Sequence, residues 1–335
     1  MAAGGLLFMT DCGADVGLGH VMRCYALAAC ARQAGYAVTL ASRDPAAPAL
    51  ERWQQSGCAV IGFASAAPGA ATALVALAQN LQAAALVIDR YDLAADFFTR
   101  LAPSAIPVLV LDDLAQIDPG CALVINPNPG ADARFSGHYA RARRKLLGSD
   151  FALIRPEIIA AAGLGGQGVL VTLGGSDQDG LAYAVASALA KRLPDQLIQV
   201  AAAGPAPAGL AKTIRWHSAA DLAPLLAGCD LVVCGGGVTA VEAACLGRPA
   251  LLIILAENQG PGAQALAQAG AARIIATPQA AAVQVAALLA DLPALAQMSK
   301  SGPALIDGHG ARRVLAVLET IGFAPDPTQT PPPPF

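Results

Sequence analysis

Short apolar runs alternate along the chain with longer segments rich in alanine and leucine. Four runs are mostly apolar up to the polar residues that end them, as is typical of strands buried on both faces of a parallel sheet. They are LLFMTD, YAVTLAS, ALVIDRY and PVLVLDD. The segments between them have helical spacing, for example HVMRCYALAACARQAG, which Gly35 ends. The pattern predicts a βαβ series that forms a doubly wound parallel sheet.

The pattern breaks near residues 147–168 and then starts again. LLGSDFALIRPEIIAAAGLGGQG contains a proline and a glycine cluster, which indicates an interdomain link. The segment GVLVTLGGSDQDGLAYAVASALA after it is again strand, turn and helix, and LIQVAAAG, TIRWHS, DLVVCGGG and PALLIIL continue as strands. We therefore expect an α/β protein with two Rossmann-like doubly wound domains facing each other across a cleft. The expected boundaries are residues 1–150, residues 151–320 and a disordered proline-rich tail, residues 321–335.

Composition narrows the classes of partner. Of the 335 residues, 55% are hydrophobic and 13% are charged, with a net charge of -3, so no basic surface for nucleic acid or an anionic membrane is expected. The eight cysteines are scattered without a CxxC pair or zinc-ligand spacing, which favours reduced, buried thiols and no metal. No basic residue precedes the first apolar run, which is typical of a strand and not of a signal peptide. We expect a cytoplasmic protein with a small-molecule partner, no cofactor and no stable membrane anchoring, and the oligomeric state stays open.

Glycine-rich turns in the second half are candidate anion sites. In CGGGVTAVE the turn contains Gly236 and Gly237 and leads into a helix, whose free amides favour phosphate. The hydroxyl of Thr239 can add a hydrogen bond, and Glu242, one turn further, can accept from ribose hydroxyls. The alternative is a tight strand–helix turn in which Glu242 only stabilises the helix start.

Two further polar segments follow strands of the second half. Gly175 and Ser176 of TLGGSD could contact a diphosphate, or Ser176 or Asp177 could cap the next helix. The segment after PALLIIL suits recognition of sugar hydroxyls or amides, although polar residues also commonly cap helices there. Its polar residues are Glu257, Asn258 and Gln259.

In the first half, GLGHVMRC places a histidine at the start of a helix. The helix dipole there disfavours a positive charge, and a neutral His20 can act as a general base. Asp11, which ends the first strand, is near enough to orient the ring or to hold a substrate. The alternative is a capping histidine bonded to a backbone carbonyl. Candidate substrate-binding residues in this half are Gly17, Gly19, Arg23, Asp89 and Tyr91, while the strand-end carboxylates Asp89, Asp112 and Asp113 are either functional or caps.

Seven segments occur in the order expected for one family: GLGHVMRC, VIDRYDL, VLVLDDLA, LLGSDFALIRPE, TLGGSD, CGGGVTAVEAACLGRPALLIILAENQ and DGHGARRV. Together they resemble the UDP-sugar hydrolases of pseudaminic acid biosynthesis, the PseG family, which is similar in fold to the GT-B glycosyltransferase MurG. The resemblance implies metal-independent, inverting hydrolysis of UDP-2,4-diacetamido-2,4,6-trideoxy-β-L-altropyranose to UDP and free sugar. It further implies that His20 is the base, that residues 235–237 with Thr239 hold the diphosphate, that Glu242 contacts the ribose, and that residues 257–259 lie near the sugar.

The chain departs from the family pattern at three positions. Met9 stands where the family has an arginine, Gly262 where it has an asparagine, and Phe151 where it has a tyrosine. Two alternative functions therefore stay open. One is a GT-B glycosyltransferase that passes the sugar of a UDP-sugar donor to an acceptor hydroxyl. The other is a catalytically inactive nucleotide-sugar-binding protein, which Met9 favours. Attack at phosphorus in place of carbon is a third possible course of the reaction.

Overall fold

A computed structural model of the chain divides it into two α/β units. Unit 1 comprises Met1–Pro156 with His309–Phe335, and unit 2 comprises Glu157–Gly308. The structure describes residues 4–12, 18–65, 67, 69–165, 167–174, 177, 180–218 and 221–321. Three predicted site residues, Gly17, Gly175 and Ser176, and nearly all of the proline-rich tail lie outside these ranges.

The described part of unit 1 contains a seven-stranded sheet in the order β3-β2-β1-β4-β5-β6-β7, and every pairing in it is parallel. Its strands are β1 (Gly5–Thr10), β2 (Val38–Ser42), β3 (Ala59–Gly62), β4 (Ala83–Asp89), β5 (Val108–Leu111), β6 (Leu123–Asn126) and β7 (Arg144–Leu147). The helices between them are α1 (Gly19–Gln33), α2 (Glu51–Gln55), α3 (Ala70–Asn80), α4 (Ala95–Leu101) and α5 (Ala131–Phe135). The parallel sheet follows from strands that are apolar on both faces.

Alternate residues of β1 enter two different cores. Leu6 and Phe8 pack on the face of the sheet that α1 covers, together with Trp53 of α2. Met9 packs on the opposite face, where α3 and α4 lie. Because side chains alternate along a strand, the side chain of Met9 points away from the face that carries α1.

The described part of unit 2 contains a six-stranded parallel sheet in the order β10-β9-β8-β11-β12-β13. Its strands are β8 (Val169–Thr172), β9 (Ile198–Ala201), β10 (Ile214–His217), β11 (Leu231–Gly235), β12 (Ala250–Ile253) and β13 (Ala272–Ile275). The helices of this part of the chain are α6 (Pro156–Ala160), α7 (Leu181–Arg192), α8 (Leu222–Ala227), α9 (Val238–Cys245), α10 (Gly260–Gln268), α11 (Pro278–Ala290) and α12 (Leu292–Leu305). No single helix in the described ranges is long and apolar enough to span a membrane. Only α11 taken together with residues 292–320 has the required length and apolar composition, and the two are sharply bent relative to each other.

In both sheets the strand order has a switch point, where strands added later in the chain lie on the opposite side of the first strand. In unit 1, β1 lies beside both β2 and β4, and in unit 2, β8 lies beside both β9 and β11. Ligands of open α/β sheets bind at the carboxyl ends of the strands at such a switch point. Residues that follow β1, β4 and β5, or β8, β11 and β12, are therefore placed to form sites. The prediction of two parallel-sheet α/β domains is confirmed.

The last described helix, α13 (Gly310–Thr320), belongs to unit 1, whereas the predicted boundaries placed it in the second domain. Its apolar stripe, Val314, Leu315 and Leu318, is buried in the core that α1 covers. The helix can begin there because position 310 is a glycine: a Cβ at this position would lie 2.2 Å from the carbonyl oxygen of Ala152. The motifs DGHGARRV and LLGSDFALIRPE thus form one packing contact.

Candidate active site

Four polar side chains of unit 1 meet at the carboxyl ends of its central strands. His20 and Arg23 lie three residues apart on α1 and therefore share one face of the helix. Asp89 is the last residue of β4, and Asp113 comes two residues after the end of β5. We call these four residues the His20 cluster.

The ring of His20 is held by Asp89. Nδ1 of His20 lies 2.6 Å from Oδ1 of Asp89. Because an ionised carboxylate only accepts hydrogen bonds, Nδ1 carries a hydrogen, and in the neutral form of the imidazole Nε2 therefore carries the lone pair. A side-chain nitrogen of Arg23 is also 3.2 Å from Nδ1, but it is a donor, so the shorter bond to Asp89 decides the tautomer.

Nε2 of His20 is left available for chemistry. No residue in the described ranges makes a hydrogen bond with it, and His20 keeps 8% of its surface exposed. The edge of the Tyr91 ring packs on the imidazole, with centroids 4.4 Å apart and planes at 80°. Tyr91 itself is 38% exposed, so it borders the cluster on its open side. A neutral histidine with a buried carboxylate on Nδ1 and an open Nε2 is the arrangement of a general base.

Arg23 bridges the two carboxylates. Nε and Nη2 each lie 2.6 Å from an oxygen of Asp89, and Nη1 lies 2.8 Å from Oδ2 of Asp113. Burial by itself would raise the pKa of Asp89, but the charge of Arg23, the charge of a protonated His20 and the hydrogen bonds from both outweigh it and hold that pKa well below its ordinary value. Burial likewise would lower the pKa of Arg23, but Asp113 and Asp89 raise it. The charge of Arg23 also outweighs the effect of burial on Asp113 and lowers its pKa, so all three groups are charged at neutral pH.

The predicted partner of His20, Asp11, is engaged elsewhere. Its carboxylate accepts from the backbone N–H of Arg43 at 2.8 Å, from Nε of Arg43 at 2.7 Å and from the hydroxyl of Ser42 at 3.2 Å. Arg90 also donates to it. Asp11 was predicted to orient the His20 ring, but in the structure Asp89 does so. That Asp11 contacts a substrate stays a prediction.

Other predicted substrate contacts in unit 1 change their role in the structure. Arg23 and the Asp89 side chain are buried and hydrogen-bonded to each other, so they position His20 and offer no open surface to a substrate. Gly19 is exposed as the first residue of α1, and Tyr91 is exposed beside His20. Sequence reasoning left open whether Asp113 is functional; it belongs to the His20 cluster, whereas Asp112 caps a turn by accepting from the N–H groups of residues 114 and 115.

In unit 2 the glycine turn after β11 is held by Gln259. Its Oε1 accepts from the N–H of Gly236 at 3.2 Å and from the N–H of Leu255 at 3.1 Å. A Cβ on Gly236 would lie 3.2 Å from Cβ of Ala263 and from Cδ1 of Ile254. Close packing against α10 therefore explains glycine at this position. Gln259 fixes the turn, and its predicted place near the sugar stays a prediction.

The remaining predicted contacts of unit 2 differ in exposure. Thr239 and Gly237 are half-buried at the start of α9, whose first amides have no intrahelical acceptor. Glu242 has 0% of its surface exposed, so a contact with a ribose, which stays a prediction, requires it to move. Burial raises the pKa of the Cys245 thiol to about 11, and the charge of Glu242 adds to this shift. Glu257 and Asn258 are exposed in a 3-10 turn after β12.

The helix after β8 shows a cap. The carboxylate of Asp177 accepts from the N–H of Leu181 at 2.7 Å and from the N–H of Ala182 at 3.0 Å, so it caps the start of α7. The capping alternative is confirmed for Asp177, while the diphosphate contacts predicted for the neighbouring Gly175 and Ser176 stay predictions. Among the residues that the structure describes, no group of three His, Cys, Asp or Glu side chains could hold a metal ion.

Two curated relatives match parts of the chain. The spore coat polysaccharide biosynthesis protein SpsG of Bacillus subtilis is 26% identical over 222 residues, which are 57% of this chain and 65% of SpsG. The UDP-N-acetylglucosamine–N-acetylmuramyl-(pentapeptide) pyrophosphoryl-undecaprenol N-acetylglucosamine transferase of Sinorhizobium medicae is 37% identical over 107 residues. That match covers 29% of this chain and 28% of the transferase. The chain thus spans less than two thirds of the length of both relatives. No protein-family model matches it.

Solved structures match nearly the whole chain. MurG of Acinetobacter baumannii has a TM-score of 0.63 at 17% identity, covering 94% of this chain and 99% of MurG. The UDP-GlcNAc 2-epimerase of Neisseria meningitidis, solved with UDP-GlcNAc, has a TM-score of 0.65 at 10% identity, covering 94% of this chain and 100% of the epimerase. At these identities the likeness concerns the fold alone, which is the GT-B fold of two parallel-sheet α/β domains.

Proposed function

We propose that this protein is a UDP-sugar-dependent enzyme that transfers the sugar to the hydroxyl of an acceptor, with His20 as the general base. The observation that carries the proposal is the hydrogen bond from Nδ1 of His20 to Asp89, with no described residue hydrogen-bonded to Nε2. The GT-B fold and a relative named as a UDP-N-acetylglucosamine transferase support the choice of donor.

The chemistry follows from the tautomer of His20. Nε2 takes the proton of an acceptor hydroxyl as the oxygen attacks the anomeric carbon of the sugar. Asp89 stabilises the imidazolium that forms, and Arg23 keeps Asp89 ionised and in place. Proton transfer to a positioned base contributes about 10²–10⁴-fold to such reactions.

The leaving group is assigned to unit 2. As the glycosidic bond breaks, negative charge grows on the departing diphosphate, and amides at a helix start stabilise it. The start of α9 after the glycine turn offers such amides, and the hydroxyl of Thr239 adds a donor. The N–H of Gly236 is used by Gln259, so it holds the turn in shape and does not bind the ligand.

Hydrolysis is the second candidate, favoured by the part of the sequence that most resembles the PseG family. GLGHVMRC places three side chains on Asp89: His20, Arg23 and Cys24, whose Sγ lies 3.4 Å from Oδ2. With water in the place of the acceptor, the same base would release UDP and a free sugar. In this version the substrate is UDP-2,4-diacetamido-2,4,6-trideoxy-β-L-altropyranose, and the pathway is pseudaminic acid biosynthesis.

One experiment separates these candidates. The purified protein is incubated with a panel of UDP-sugars, with and without sugar acceptors, and the products are followed by proton NMR. Transfer predicts UDP release only when an acceptor is present, and hydrolysis predicts UDP and free sugar without one. UDP binding with no turnover under any condition would refute both and leave a nucleotide-sugar-binding protein.

Paired histidine variants test the base. His20→Ala is expected to lower kcat at least about 100-fold while UDP affinity changes little, because the base acts on the nucleophile and not on the nucleotide. His138→Ala is the matched control, since His138 is exposed and outside the His20 cluster. A His20→Ala enzyme with near-normal turnover would exclude His20 as the base.

A further inference from the structure

The charges of the His20 cluster do not cancel when the imidazole is neutral. Asp89 and Asp113 are two negative charges, and Arg23 is one positive charge. Their side chains are 0%, 8% and 7% exposed, and the side chain of His20 is 10% exposed. An uncompensated buried charge is unfavourable. The sum becomes zero only when His20 carries a proton.

We propose that Asp113 is a positioning residue for His20: acting through Arg23, it supplies the second negative charge that makes the cluster neutral when the imidazole is protonated. The inference rests on the proposed role of His20 as a base and names a residue that supports that role. Asp113 does not touch the ring, so its effect reaches His20 through charge and through the orientation of Arg23.

The contacts of Asp113 fit this role. Its Oδ2 accepts from Nη1 of Arg23 at 2.8 Å and from the hydroxyl of Tyr91 at 2.8 Å. Asp113 therefore joins the buried arginine to the exposed tyrosine that packs on the imidazole. Without it, Arg23 and Asp89 alone would already balance, and the imidazolium would be an added positive charge in a buried place.

Asp113 and Cys24, two ionisable groups near the ring, each keep one charge state near neutral pH. Burial would raise the pKa of Asp113, but the charge of Arg23 outweighs it and lowers that pKa, so the carboxylate is ionised. Burial and the charge of Asp89 raise the pKa of the Cys24 thiol well above its ordinary value, so Cys24 is neutral. The hydroxyl of Tyr91 donates its hydrogen to Asp113. With the charges of these groups fixed, a proton on His20 is what brings the charge of the cluster to zero.

The test is a pH titration of the His20 ring by NMR on the full chain without substrate. In Asp113→Asn the midpoint is expected to move to lower pH by roughly one unit, because a buried negative charge near the ring has been removed. Asp113→Glu keeps the charge and is expected to stay near the wild type. Asp112→Asn is the matched control: Asp112 is also buried, but it caps the turn at residues 114 and 115 through an oxygen that asparagine keeps. Its expected shift is less than half as large.

Each outcome decides the proposal. An unchanged midpoint in Asp113→Asn, or an equal shift in Asp112→Asn, would overturn it. If Asp113→Asn does not fold, Asp113→Ser removes the same charge from a smaller side chain, and loss of folding in both would assign Asp113 a structural role instead. A shifted midpoint in a protein without turnover would retain this inference and reject the proposed function. Loss of turnover in His20→Ala with an unshifted Asp113→Asn would do the reverse.

Discussion

The change Asp89→Asn tests the centre of the candidate site, because it alters one atom and one charge. The carboxylate of Asp89 accepts from Nδ1 of His20, from two nitrogens of Arg23 and from Sγ of Cys24. Asparagine has a single acceptor oxygen, so its NH₂ group replaces either Oδ1, which accepts from His20 and from Nη2 of Arg23, or Oδ2, which accepts from Nε of Arg23 and from Cys24. Both placements bring a donor against a donor.

The two placements have different costs. If the NH₂ group replaces Oδ1, the ring must adopt the other tautomer, which puts the hydrogen on Nε2 and removes the base, and Nη2 of Arg23 loses its acceptor. If it replaces Oδ2, the histidine keeps its partner and Nε of Arg23 loses its acceptor. Removing one partner of a buried ion pair costs about 3–5 kcal/mol, and the lower end applies here because one oxygen remains. We expect kcat to fall by about 10²–10⁴-fold, as the wrong tautomer alone accounts for such a loss.

Three measurements on Asp89→Asn check this reasoning. The ¹⁵N shifts of the His20 ring report the tautomer in the absence of any ligand, urea unfolding gives the loss of stability, and NMR of the UDP-sugar reaction gives kcat and KM. The control is Asp112→Asn, a neighbouring carboxylate outside the cluster. An Asp89→Asn protein that keeps hydrogen on Nδ1 and turns over within about threefold of the wild type would refute the assignment.

Three further outcomes follow from the structure. Gln259→Ala leaves two backbone N–H groups without their acceptor, so we expect a loss of roughly 1–3 kcal/mol in urea unfolding and weaker UDP binding by calorimetry; unchanged values would show that the turn holds itself. Gly310→Ala is expected to destabilise the protein by roughly 1–3 kcal/mol in the same assay, whereas Gly137→Ala, where nothing lies within 4 Å of the added Cβ, is tolerated. Because the pKa of Asp89 is lower in the folded protein than its ordinary value, its contribution to stability is present above about pH 4 and is lost as pH falls further. Unfolding free energy measured from pH 7 to 2 should therefore fall less in Asp89→Asn than in the wild type, and parallel curves would contradict this.

The order of apolar runs predicted both parallel sheets, because a strand buried on both faces must be apolar throughout, whatever it pairs with. The GLGH turn likewise placed His20 at the start of α1, since a glycine turn before a helical segment is a local feature. The glycine turn between β11 and α9 was predictable for the same reason. These features depend only on residues close together in the sequence, so a local pattern is enough to predict them.

The partner of His20 was decided by tertiary structure. Asp11 and Asp89 are both strand-end aspartates, and the sheet order places β1 beside β4, so either could have faced the ring. Arginines that follow β2 and β4 occupy Asp11, and Asp89, 69 residues from His20 in sequence, is left to hold it. The return of α13 to unit 1 was decided in the same way. In both cases the outcome depends on which charged or apolar groups from distant segments come into contact. A pattern within one segment cannot predict those contacts.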